Sequence, residues 1–162
     1  MDDRPPRRRH PHHFDDAKYE VLWEPVWFTS CTRGNRPILT RGEAPAVLVD
    51  AMTECATATG CALIAWCIMP DHVHLLACVS QEGGNVRRLA ERTRQISGYR
   101  LSRLGLEAPI WHRDIWDHHV RGHESLDSVV AYILGNPVRA GLCERQDEWP
   151  YSAFLGYPKG DR

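Results

Sequence analysis

Two apolar runs separated by only two residues constrain this chain most. CALIAWCIM and HVHLLACVS stand on either side of Pro70-Asp71. Each has strand length and is rich in branched and aromatic residues, so the text predicts two neighbouring strands around a short break. The second run contains His72-Val73-His74. On a strand, residues i and i+2 share a face, so His72 and His74 project together while Val73 and Leu75 point the other way. Two polar rings in an otherwise apolar sheet need a partner. Paired imidazoles on one rigid strand can hold a divalent ion. Read alone, they are also compatible with two satisfied core or surface histidines.

The flanking text completes the order. YEVLWEPVWFTSCT, from Tyr19 to Thr32, predicts a strand bent at Pro25. Ala44 to Thr59 predicts a helix with Val47, Leu48, Ala51 and Cys55 near one face, stopped by Gly60. Asn85 to Leu104 predicts a second helix, with a buried stripe of Val86, Leu89, Thr93 and Ile96. Trp111 to Arg121 reads as extended. Ser125 to Asn136 reads as a helix ending before Pro137. The aromatic tail Glu148 to Tyr157 is expected to pack back on the domain. The order β-α-β-β-α-β followed by a helix fits an α+β, ferredoxin-like split βαβ sandwich. Residues 1–17, rich in Pro, Arg, Asp and His, read as a disordered arm, and 18–162 as a single domain. His10, His12, His13 and the triplet Arg7-Arg8-Arg9 belong to that arm, where a solvated basic tail is the ordinary role.

Composition excludes several classes. At 162 residues with 43% hydrophobic and 25% charged, the chain suits one soluble domain. No apolar stretch is long enough for a membrane helix, and the N-terminus lacks the apolar region of a secretory signal. The expected location is cytoplasmic and nucleoid-associated. Six cysteines form no C-x-x-C pair, which disfavours a thiolate zinc site and favours buried small side chains. A net charge of −1 argues against indiscriminate nucleic-acid binding. Arginine still dominates the basic residues, and the second helix carries Arg87, Arg88, Arg92, Arg94, Arg100 and Arg103 against Glu91 alone. That face is either a phosphate contact or simply solvated.

Two further constellations bear on chemistry. In SLDSVVAYILGNP, about 100° per residue puts Leu126, Val129, Val130, Ile133 and Leu134 on one face. Tyr132 lies away from that face, and Asn136 is four residues on, so a phenol and an amide would be offered from one polar side. An Asn before Pro is also an ordinary helix stop. In WHRDIWDHHVRGHE, His118 and His119 face opposite ways if extended, so one can join a site while the other points elsewhere. Asp114 and Asp117 read as solvated carboxylates, and His123-Glu124 as a helix cap.

Together these segments resemble a known family. MPDHVHLL is similar to the His-hydrophobe-His signature of the HUH superfamily of single-strand DNA nucleases. The helix with Tyr132 resembles that of the single-tyrosine insertion-sequence transposases. WHRDIWDHHVR, AYILGNPVRAGL and EWPYSAF follow in the order of the REP-associated tyrosine transposase group, over about residues 19–155. The resemblance implies a ferredoxin-like domain with an added C-terminal helix carrying the tyrosine. It implies Tyr132 as nucleophile and His72, His74 and Asn136 as ligands of Mg²⁺ or Mn²⁺. Mobile-element transposases more often have Gln where this chain has Asn136. It also implies a covalent 5′-phosphotyrosine and single-stranded DNA hairpins of repetitive palindromic elements as partners. Arg87, Arg88, Arg92, Arg94, His118 and Arg121 are the candidate DNA contacts. The resemblance leaves monomer and homodimer both open. Two other readings stand beside it: a domesticated hairpin-binding protein that no longer cuts, and a small metal-dependent phosphoesterase with other substrates.

Overall fold

The computed structural model describes residues 16–122 and 124–158. Its elements are β1 (Val26–Thr32), α1 (Ala44–Ala58), β2 (Cys61–Ile68), β3 (His72–Val79), α2 (Val86–Arg103), β4 (Trp111–His119), α3 (Leu126–Leu134), α4 (Asn136–Arg139) and β5 (Ser152–Phe154). The five strands form one sheet in the order β4-β1-β3-β2-β5, with every pair antiparallel. The inner order β4-β1-β3-β2 is that of a ferredoxin-like sandwich. The short break at Pro70-Asp71 makes β2 and β3 a hairpin, closed by Met69 N–H donating to His72 C=O at 2.8 Å.

Strand alternation sorts the side chains into two cores. Val73, Leu75, Ala77 and Val79 of β3 join Phe28 of β1 under α1 and α2, with Leu48, Met52, Cys55, Leu89 and Leu101. Leu76 and Cys78 of the opposite parity join Ile64, Cys67, Val129, Val130 and Ile133 under α3. His72 and His74 share the parity of Leu76, so both rings lie on the α3 side of the sheet. Caps agree with the text at two helices. The Asn85 side chain accepts from Arg88 N–H at 2.9 Å, and Gly60 takes φ 65° just past Thr59, the last residue of the α1 turn.

Three expectations need correction. The segment before Val26 is not a continuation of a bent strand. Tyr19 closes a 3-10 turn that begins at Asp16, and the chain reverses at Trp23, φ 63°. Asp16 and Ala17 thus belong to that turn, while the rest of the expected arm lies outside the described residues. The single helix expected up to Asn136 is two: α3 stops at Leu134, Gly135 links, and Asn136 starts α4 with Pro137 in its first turn. Proline suits that position because a first-turn N–H has no helical acceptor anyway. The α3 cap is Ser125, which accepts from Ser128 N–H, and Glu124 is engaged elsewhere. The tail packs back as expected, as the edge strand β5 on β2.

Candidate active site

The site lies on the α3 side of the sheet, where Trp27 of β1 packs against both His74 of β3 and Tyr132 of α3. His72 and His74 are 9% and 1% exposed, and their ring centroids lie 4.8 Å apart. The Nδ1 atom of His72 is 2.7 Å from Asp71 Oδ1, so the ring donates there and turns Nε2 away with its lone pair. Among the described residues, Nε2 of His72 and Nε2 of His74 are both buried without a hydrogen-bond partner. Two orphaned imidazole nitrogens side by side would be costly in a finished core. They suit a cation that both could hold. No cluster of three His, Cys, Asp or Glu that could hold a metal forms among the described residues.

Asn136 is a buried amide. It is 2% exposed, and its Nδ2 donates to Ile133 C=O at 3.2 Å. Burial pushes the His74 imidazole well below its ordinary pKa, helped by the neighbouring His72 and Arg139 and opposed by Asn136. A neutral imidazole is the form that ligates a metal.

The other side of His74 is crowded. Register pairs Thr29 of β1 with His74, and Thr29 Oγ1 lies 2.9 Å from Nδ1. Trp27 Nε1–H points at the same Nδ1 from 3.1 Å. An indole can only donate, so receiving that bond puts the imidazole proton on Nε2. A cation at Nε2 requires the other tautomer, with Nδ1–H donating to the Thr29 hydroxyl.

Tyr132, on α3, is 38% exposed, and its ring packs 5.4 Å from Trp27, the residue that bonds His74. The structure therefore brings Tyr132, His72, His74 and Asn136 to one place, although not from one polar helix face. Wheel geometry fails across Gly135, which ends α3, so Asn136 turns into the core while Tyr132 stays half-exposed. Arg139 and Thr29 are among the residues that escaped the sequence reading. The Arg139 guanidinium lies 3.9 Å over the Tyr132 ring, and the Thr29 hydroxyl supports His74. A cation placed soon after the end of α3 was the available signal for the first; strand register hid the second.

The remaining candidates divide between the layers. Trp116 and His118 of β4 pair with Thr29 and Trp27, so they lie on the site side. Their rings stack with a 5° interplanar angle, and His118 Nε2 meets Glu124 Oε2 at 2.7 Å. His119 faces the other layer, where it lies against Tyr19. Arg121 is exposed just past β4. The arginines of α2 are not at the site, because α2 packs on the opposite side of the sheet. There Arg87 pairs with Glu91 at 2.9 Å, Arg94 donates to the carbonyls of His112 and Arg113, and Arg88 and Arg92 are exposed. His123 lies outside the described residues. All six cysteines are free, and four are buried.

Comparison with known proteins follows the same outline. The model of the family described as Transposase IS200 like matches residues 25–136. A Haemophilus influenzae protein assigned as a REP-associated tyrosine transposase is 34% identical over 103 residues, covering 56% of this chain and 57% of that protein. The REP-associated tyrosine transposase of Escherichia coli K12 is 29% identical over 90 residues, covering 56% and 52%. The chain thus spans about half the length of the curated relatives it matches. A solved REP-associated tyrosine transposase bound to a REP hairpin superposes with a TM-score of 0.63 at 24% identity, covering 83% of this chain and 78% of that one. A Deinococcus radiodurans protein assigned as a transposase gives 0.53 at 20%, covering 72% and 92%. Both solved structures share the fold.

Proposed function

This chain belongs to the IS200-like transposase family, and from that premise we propose that it nicks and rejoins single-stranded DNA hairpins through a covalent bond to Tyr132. The observation that carries the reading is the pair of buried, partnerless Nε2 atoms of His72 and His74, with Trp27 packed against both His74 and a half-exposed tyrosine. Repetitive palindromic hairpins are the proposed substrate, because the curated relatives are REP-associated and one structural neighbour was solved with such a hairpin.

His72, His74 and Asn136 would hold Mg²⁺ or Mn²⁺. When bound, the ion would polarise the scissile phosphate and fix its orientation. All three protein donors are uncharged, so the substrate phosphate supplies the negative charge that completes the site. Tyr132 Oη forms a bond to phosphorus as the phosphorus–O3′ bond breaks. The phenol proton leaves to solvent, and the 3′ oxygen departs as a hydroxyl. The product is a 5′-phosphotyrosine whose phosphodiester energy is retained, so a second 3′-hydroxyl can reverse the step without a nucleotide cofactor. Trp27 packs against the tyrosine ring, and Asp71 and Thr29 orient the two imidazoles.

The test is a labelled single-stranded hairpin from the chain's own genomic neighbourhood, incubated with Mn²⁺ or EDTA and run on a denaturing gel. A Mn²⁺-dependent covalent band supports the reading. Binding without a band across metals and hairpins would instead mark a binding protein that no longer cuts.

Two further results are expected. Thr29→Val keeps the buried volume but removes the acceptor for His74 Nδ1–H, and Asp71→Asn weakens the acceptor for His72. Each should lower Mn²⁺ affinity about 10- to 100-fold, read by calorimetry, with the fold intact by circular dichroism. Unchanged affinity in both would separate the imidazoles from the metal. On the far layer, Arg88→Ala with Arg92→Ala removes two exposed cations. If DNA reaches α2, the slope of log affinity against log salt should fall by about 1.4. An unchanged slope would assign that face to solvent.

A further inference from the structure

We propose that Arg139 is the positioning residue of the nucleophile, clamping the Tyr132 ring from α4, and that Gly135 exists to let it pass. The inference rests on the reading of Tyr132 as nucleophile. Three observations carry it. The Arg139 guanidinium sits 3.9 Å from the centroid of the Tyr132 ring, well inside the range of a cation–π contact. Its Nη2 also donates to Tyr132 C=O at 2.6 Å, so one side chain grips both ends of the residue. An added Cβ at Gly135 would lie 2.7 Å from Arg139 Nη1, 3.0 Å from Ala131 C=O and 3.3 Å from Gln146 Nε2. Gly135 has an ordinary helical φ of −78°, so backbone conformation does not call for glycine there. A methyl there would instead push the end of the arginine side chain off its place.

The local sequence explains how the clamp forms. The last carbonyls of α3 lack helical donors and carry the negative end of the helix dipole. Gly135 N–H satisfies Ala131 C=O at 2.9 Å, Asn136 satisfies Ile133 C=O, and Arg139 reaches Tyr132 C=O. Pro137 in the first turn of α4 stiffens the link that returns Arg139 over the tyrosine. Attack requires one rotamer of Tyr132, and Arg139 holds the ring beside its contact with Trp27.

The experiment uses the full chain labelled with 3-fluorotyrosine, with the Tyr132 ¹⁹F signal assigned by its loss in Tyr132→Phe. Arg139→Met, Arg139→Lys and Gly135→Ala are compared with wild type in ¹⁹F spectra, thermal melts and single-turnover adduct formation on a hairpin with Mn²⁺. In Arg139→Met the Tyr132 signal is expected to shift towards that of a free tyrosine. The maximal rate should fall about 10- to 100-fold, with hairpin affinity unchanged. Arg139→Lys, which keeps a cation over the ring, should recover part of the rate. Gly135→Ala should reproduce the Arg139→Met spectrum and rate, because the new methyl displaces Nη1. A ¹⁹F signal unmoved in Arg139→Met overturns the clamp whether or not DNA is cut. A moved signal with an undiminished rate, or a lowered melting temperature alone, overturns the positioning role and leaves Arg139 as a helix cap. A wild type that forms no adduct at all overturns it too, and identifies the failure as that of the nucleophile assignment.

Discussion

Tyr132→Phe is expected to form no covalent product with DNA while binding hairpins as well as the wild type. The substitution removes one oxygen and nothing else. Phe keeps the ring that packs on Trp27 and lies under Arg139, and the position is 38% exposed, so the stability change should stay within about 0.5 kcal/mol. The chemistry has no such tolerance, because without Oη there is no atom to bond to phosphorus. A denaturing gel after incubation with labelled hairpin and Mn²⁺ reads the outcome directly, and a native gel supplies the affinity.

No other tyrosine is placed to substitute. Tyr99 is exposed on α2, across the sheet from the histidines, and Tyr151 packs against the core of that same layer. Tyr19 also lies on that side; burial and the nearby Asp117 push its phenol up to about 12. The hydrogen bond to Asp127 pushes Tyr157 up to about 12 as well. A phenol raised that far is a poorer source of phenolate at neutral pH. An adduct that persists in Tyr132→Phe would therefore contradict the geometry of the whole site, and Tyr99→Phe and Tyr151→Phe would be the next variants to make.

The architecture was legible wherever periodicity carried it. Two apolar runs around Pro70-Asp71 could hardly be other than a hairpin, and the α3 stripe of Val129, Val130 and Ile133 is the buried face. What escaped was non-local or too short. β5 is three residues, SAF, with no alternation to read. Its strand state comes from pairing with Ala65, Trp66 and Cys67, which local sequence does not encode. The reversal at Trp23 escaped because Pro25 offered a plausible bend nearby. Gly135 was present in the text, yet a helix wheel run through it put Asn136 beside Tyr132 on a polar face. The wheel breaks where the helix breaks.

The pairing of the two histidines was legible, and what supports them was not. His72 and His74 share a face by strand parity alone, and the structure places them so. The bond from Trp27 and the contact with Thr29 depend on the register of β1 against β3, which no local pattern specifies. The position of the arginine helix, by contrast, was deducible. Both crossover helices of a split βαβ fold pack on one face, and Val73 and Leu75 are the apolar residues that must meet them. The histidines then face the other way, on the layer opposite the arginines of α2.

That separation makes the histidine variants the sharpest remaining test, since nothing on α2 can compensate for them. His72→Ala and His74→Ala should each lower Mn²⁺-dependent cleavage by more than about 100-fold, because an ion at a scissile phosphate contributes several kcal/mol to the transition state. Their effects on folding should differ. His72 sits at the start of β3 with a partly exposed partner in Asp71, so its loss is mild. His74 is 1% exposed, and its removal strands the Trp27 indole N–H and the Thr29 hydroxyl, about 1–3 kcal/mol for each group left unpaired. His72→Ala is thus the clean variant for activity. Metal and imidazole should also act as one unit. EDTA should lower wild-type cleavage to the level of His72→Ala and have no further effect on that variant, a non-additivity expected of groups that serve one step. Mn²⁺ at about 100 times its dissociation constant should stabilise the wild type by about 2.7 kcal/mol. At this size that raises the melting temperature by roughly 5–10 °C. The rise should vanish in His72→Ala. Cleavage that survives in both histidine variants and still responds to Mn²⁺ would move the ion elsewhere and leave the two buried nitrogens unexplained.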